Sequence, residues 1–104
     1  MDFKIYKLKP KKEKVWQEWS LLLKQKSEEV LITLAEEGLV FEGSLTFSYK
    51  NAKFVCLFGK KDPKACKNSK VNYNREINIS HKTTKKECFE ETYIPIEINY
   101  FFER

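Results

Sequence analysis

An α+β domain built on a four-stranded antiparallel sheet is what the periodicities of this chain predict. Three observations carry that reading. Four segments alternate apolar and polar residues, as half-buried strands do. Two longer stretches carry apolar residues at helical spacing and fall between those segments in sequence. The chain is 104 residues long, enough to bury one core, so residues 1–104 are read as a single domain.

The first strand is Asp2 to Leu8, with Phe3 and Ile5 on one face and Lys4, Tyr6 and Leu8 on the other. Pro10 ends it, because a residue without an amide proton cannot continue a ladder. Lys11 to Gly38 is helical. Val15, Trp19, Leu22 and Leu23 make one stripe, widened by Trp16 and Leu21, and Val30, Leu31, Leu34 and Ala35 make a second. Ser27 is placed to cap a new first turn, with Glu28 and Glu29 at the positive end of its dipole. Two helices broken near Lys26–Ser27, or one kinked helix, follow from this. Gly38 supplies the left-handed residue that closes a helix.

Leu39 to Tyr49 is a long strand. Phe41, Gly43, Leu45, Phe47 and Tyr49 are expected to face the core, and Val40, Glu42, Ser44, Thr46 and Ser48 water or a wet cavity. Lys50–Asn51–Ala52 is a polar turn in which Asn51 takes positive φ, and Lys53 to Phe58 completes a hairpin. Gly59 to Asn74 is a basic loop, expected to be mobile, with a helical turn around Pro63 to Lys67. A further helix lies between Arg75 and Thr92, with Ser80 as one candidate N-cap and His81, Thr84, Cys88 and Thr92 near one face. Pro95 opens a last strand, Ile96 to Phe102.

The resulting βαββαβ order is the ferredoxin-like arrangement, with both helical segments covering one face of the sheet. The other face, expected to carry Val40, Glu42, Ser44 and Thr46, is left bare. Pairing two bare faces across a two-fold axis gives a dimeric α+β barrel, so a homodimer is expected.

Lys9-Pro10, Glu13-Lys14-Val15, Glu18-Trp19, the run Glu29 to Leu34, Phe41-Glu42, and the pair His81 and Cys88 together resemble a family of small uncharacterised bacterial proteins of the dimeric α+β barrel type. The resemblance covers most of the chain. It implies that fold and no established reaction. The wider superfamily includes haem-degrading and antibiotic-biosynthesis monooxygenases. In the haem-degrading branch a helix histidine ligates iron beside a strand asparagine and a strand tryptophan. Here strand one has no asparagine and strand three no tryptophan, so haem is not expected.

Composition narrows the function classes. Charged residues are 34% and aromatics 14% of the chain, which excludes a disordered or membrane-embedded class. No apolar run approaches the roughly 20 residues of a spanning helix, and no apolar signal segment opens the chain. Cys56, Cys66 and Cys88 are odd in number and too scattered for a disulfide framework or a zinc site, which points to a reducing cytoplasm. The net charge of +5 is almost all lysine. Arg75 and Arg104 are the only arginines, so specific or tight duplex nucleic-acid binding is not expected.

Chemistry has few candidates. His81 is the single histidine and the one side chain that titrates near neutrality without perturbation. Its carboxylate partners would be Glu42 or Glu97. Cys88 is seven residues on, about 10.5 Å along a helix axis, too far for a Cys–His dyad, and reads as a core thiol. The three glycines are isolated, so no phosphate loop exists. No cofactor motif and no metal-ligand set is seen. The ligand-binding candidates are His81, Glu42, Ser44 and Trp19, with Trp16 and Trp19 read first as core anchors. The expected role is small-molecule binding in a cleft between sheet and helices. A non-catalytic interaction or regulatory module is the first alternative, and a small cofactor-independent enzyme of monooxygenase or isomerase type the second.

Overall fold

The structure is a computed structural model that describes residues 1–64 and 71–104. Its order is β1 (Asp2–Leu8), α1 (Glu13–Gln25), α2 (Ser27–Glu37), β2 (Leu39–Tyr49), β3 (Ala52–Lys61), α3 (Glu76–Cys88) and β4 (Phe89–Pro95). The strands form one open sheet in the order β2-β3-β1-β4, every neighbouring pair antiparallel. β1 and β2 therefore run parallel with β3 between them.

Local chemistry explains most of the boundaries. The helical region breaks at Lys26, where φ is −106° and ψ is 32°. Ser27 is the first residue of α2 rather than its cap, and no side chain caps that end. Gly38 closes α2 with φ at 70°. The β2–β3 hairpin turns on two residues, Lys50 and Asn51, with φ of 48° and 63°. Positive φ at both positions matches the twist of antiparallel strands, and Ala52 is already paired with Tyr49.

The core lies between the helices and one face of the sheet. Leu8, Trp16, Trp19, Val55, Ile77, Cys88 and Phe89 are buried together, and Tyr6 and Leu57 pack against them. Tyr6 stacks on Phe89 at 4.8 Å, and Trp16 meets Phe89 at 4.6 Å. On α1 the inward stripe is Trp16, Trp19 and Leu23, with Leu21 and Leu22 turned outward. On α2 Leu34 and Thr33 are buried while Leu31 and Ile32 are exposed.

The sheet faces are assigned by register, and they overturn one expectation. Val55 lies opposite Tyr6 on one side and Thr46 on the other, and Leu57 lies opposite Ser44. Residues directly opposite one another share a face. Glu42, Ser44 and Thr46 thus share the helix side with Val55. Phe41, Gly43, Leu45 and Phe47 join Phe3, Ile5, Phe54, Cys56 and Phe58 on the bare side. The sequence expectation had these two sets of β2 residues reversed. Gly43 has a specific reason to be glycine: it faces Phe58, and a Cβ there would come within 2.4 Å of that ring.

The C-terminal region also departs from expectation. α3 begins at Glu76, not Ser80, and β4 follows it directly at Phe89. Residues 96–104 have no regular secondary structure, so Pro95 closes the last strand instead of opening it. The partner strand runs out: Lys4 pairs with Pro95, the next pair on that register would set Ile96 against Phe3, and the one after it Glu97 against Asp2. Like charges directly opposite destabilise a ladder, and β1 ends there. Phe89 and Tyr93 are held instead by Leu8 and Tyr6. The helical turn expected around Pro63 to Lys67, and the mobility expected of the loop that contains it, lie largely outside the described residues.

Candidate functional site

The site forms where α1 and α3 pack together, and His81 of α3 reaches Glu42 of β2. Ile77, His81 and Cys88 share the inward stripe of α3, with Ile77 and Cys88 buried in the core. That stripe aims His81 at Trp19, one turn along α1 from Trp16. The Trp19 indole donates from Nε1 to His81 Nδ1 at 3.0 Å, and the two rings lie 5.7 Å apart. An indole N–H can only donate, so His81 Nδ1 must be bare and its proton must sit on Nε2. Nε2 stands 3.9 Å from Glu42 Oε1 on β2.

The electrostatics agree with a neutral ring. Burial, helped by the nearby Lys85 ammonium, lowers the His81 pKa to about 4, so the ring is neutral at pH 7. Burial raises the Glu42 pKa, and Lys85 works against it. Lys85 is itself lowered by burial and held up by Glu42. Glu37, at the end of α2, is raised by burial and then by the Glu42 charge. Two carboxylates, the Lys85 ammonium with Lys4 near it, and a neutral imidazole thus share one region.

A cleft of about 830 Å³ opens beside them, between the helices and β2. Trp16, Leu34, Leu57 and Ile77 supply apolar wall, and His81, Glu42, Ser44 and Thr46 supply polar groups. Of the sequence candidates, His81, Glu42 and Ser44 line this cleft, and Trp19 stands behind His81 as its hydrogen-bond donor. Glu97 does not line this cleft: it borders a second depression of about 820 Å³ at the end of the sheet, with Met1, Phe3 and Phe58, which Glu42 also reaches. Cys88 is fully buried in the core, and burial raises its thiol pKa.

Sequence reasoning passed over Lys85 and Glu37. Lys85 was legible in principle, since it follows His81 by four residues and so shares its helix face. Glu37 was not, because only the packing of α2 beside β2 brings it near Glu42. Among the described residues no group of three or more His, Cys, Asp or Glu side chains is arranged to hold a metal ion. No helix there is long and apolar enough to cross a membrane.

A family of unknown function, DUF6176, matches residues 3–102. The chain belongs to that family. No curated protein and no solved structure matches it. The matched residues include all four site candidates, and the family brings no activity with it.

Proposed function

We propose that this protein binds a small molecule in the helix–sheet cleft, and that it does so as a homodimer. The observation that carries the first part is the convergence of His81, Glu42 and Ser44 in one largely apolar recess, with His81 held from behind by Trp19. Recesses of a few hundred Å³ or more with an apolar wall and a few converging polar groups are the usual form of a ligand site. A thermal-shift screen of metabolites, followed by amide and imidazole NMR, tests it. Ligands that stabilise the fold should shift the resonances of His81 and Ser44. Hits that move only residues remote from the cleft would reject this reading.

The dimer is supported by the bare sheet face. Phe3, Ile5, Phe41, Leu45, Phe47, Phe54 and Phe58 form it, and Leu45 and Ile94 are 50% and 46% exposed. A contiguous apolar face of this kind invites a partner. A second copy suits it because sheets pack face to face about 10 Å apart, and a two-fold axis sets like strands against like. The strand order, taken from the other edge as β4-β1-β3-β2, supports a ferredoxin-like reading and hence a dimeric α+β barrel. Two free cysteines among the described residues, Cys56 and Cys88, suit a reducing cytoplasm. Sedimentation at micromolar concentration decides the assembly, and a monomer without concentration dependence would reject the barrel.

A further inference from the structure

We infer that the cleft selects a neutral, mostly apolar molecule bearing a hydroxyl group, whose oxygen bridges His81 Nε2 and Glu42. The inference rests on the reading of the cleft as a ligand site and names the chemistry it takes. Its geometry starts from the 3.9 Å between His81 Nε2 and Glu42 Oε1. That span is too long for a direct hydrogen bond and too short to admit a carbon group between the two atoms. One oxygen about 2.8 Å from each fills it.

The direction of each bond then fixes the functional group. Trp19 occupies His81 Nδ1, so Nε2 offers a proton and cannot accept one. The bridging atom must therefore accept from His81. Glu42 as a carboxylate only accepts, so the same atom must also donate. A hydroxyl does both. A ketone accepts and has nothing to give Glu42. An ammonium donates and would set its N–H against that of His81. A carboxylate accepts from His81 but has no proton to give Glu42, and sets one acceptor against another. The wall of Trp16, Leu34, Leu57 and Ile77 then favours an apolar skeleton around the hydroxyl.

Camphor-type molecules test this, because one rigid skeleton carries each head group. Borneol, camphor and bornylamine are titrated into the protein, and binding is followed by the imidazole nitrogens of His81 and the indole N–H of Trp19. Borneol is expected to bind about tenfold or more tightly than camphor or bornylamine, the difference one well-placed hydrogen bond supports. Glu42→Leu should erase the preference of borneol over camphor. The nitrogen shifts of free His81 should show the Nε2-protonated tautomer at pH 7, and Trp19→Phe should mix the two tautomers. Equal binding of borneol and camphor overturns the hydroxyl inference while leaving the cleft as a ligand site. A His81 protonated on Nδ1 overturns it directly. No shift at His81 or Trp19 with any of the three also overturns it, a bridging water then being all the pair holds, and the broader reading is judged by its own metabolite screen.

Discussion

The two faces of this sheet invert the usual division of labour. The face beneath the helices carries Glu42, Ser44 and Thr46 on β2, while the bare face carries Phe41, Leu45 and Phe47. On β1 and β3 the division is ordinary on the helix side, where Tyr6, Leu8, Val55 and Leu57 are apolar, yet Phe3, Ile5, Phe54 and Phe58 are apolar on the bare side as well. The central strands thus carry apolar side chains on both faces. Edge strand β2 is apolar only where no helix lies. A polar stripe under a helical layer is costly unless solvent or a ligand reaches it, and the cleft provides that access. An apolar stripe in the open is costly unless another surface covers it. The same strand therefore supports the proposed ligand on one side and the proposed partner on the other.

The contrast can be broken most severely from the helix side. Trp16 is 2% exposed and touches Phe89. Trp16→Ala should remove about 3–5 kcal/mol of stability, measured by chemical denaturation. A loss below about 1 kcal/mol would mean that the helical layer is not the principal core.

Next in size is the bare face. Leu45→Lys puts a charge on the proposed interface while leaving the helix-side core untouched. Self-association should weaken by about a hundredfold or more, with the circular dichroism spectrum and unfolding cooperativity of the subunit retained. Thr46→Lys, one residue along, points into the cleft instead and should leave sedimentation unchanged. If the two variants dissociate the protein equally, the face assignment is wrong.

Acid tests the polar side. His81 titrates at about 4 in the fold against an ordinary 6.5. Between those values the unfolded chain holds a proton that the folded chain does not, so this contribution to stability is complete above about 6.5 and is lost as the pH falls towards 4. The loss is on the order of 2–3 kcal/mol at most. Glu42 and Glu37 act in the opposite sense, because their raised pKa values relieve buried charge as they protonate. Comparison with His81→Gln isolates the histidine: the stability gap between the two proteins should shift in favour of the variant as the pH falls from 7 to 4, followed by urea denaturation at each pH. A gap that does not change would show that His81 is not held neutral.

The smallest effect belongs to the junction that sets α3 against α2. Arg75 Nε donates to Glu36 Oε1 at 2.6 Å, and the Asn72 amide donates to Oε2 at 2.8 Å. The Arg75 hydrogen bond, then that of Asn72, lowers the Glu36 pKa. Its stabilisation is present above the ordinary carboxylate range and disappears as the pH falls through the lowered value. Glu36→Gln should lower the denaturation midpoint slightly at pH 7 and not at all in strong acid. A large drop would place this pair among the main supports of the cleft.

The sequence by itself determined the elements governed by short-range rules. β1, the break at Lys26, the Gly38 stop, β2 and the Lys50–Asn51 turn were legible because period, proline, glycine and asparagine act on the residues beside them. His81, Glu42, Ser44 and Trp19 were legible as candidates because polar groups on otherwise apolar elements stand out. Tertiary structure decided the rest. Alternation along β2 separates two sets of side chains but carries no sign for which set meets the helices; the register Thr46↔Val55 and Ser44↔Leu57 supplies it. The last strand was misplaced by seven residues because Phe89 to Pro95 and Ile96 to Phe102 both have strand-like composition, and only the first finds β1 opposite it. The proton on His81 Nε2 follows from a contact with Trp19 across 62 residues of chain, a distance over which no local pattern carries information.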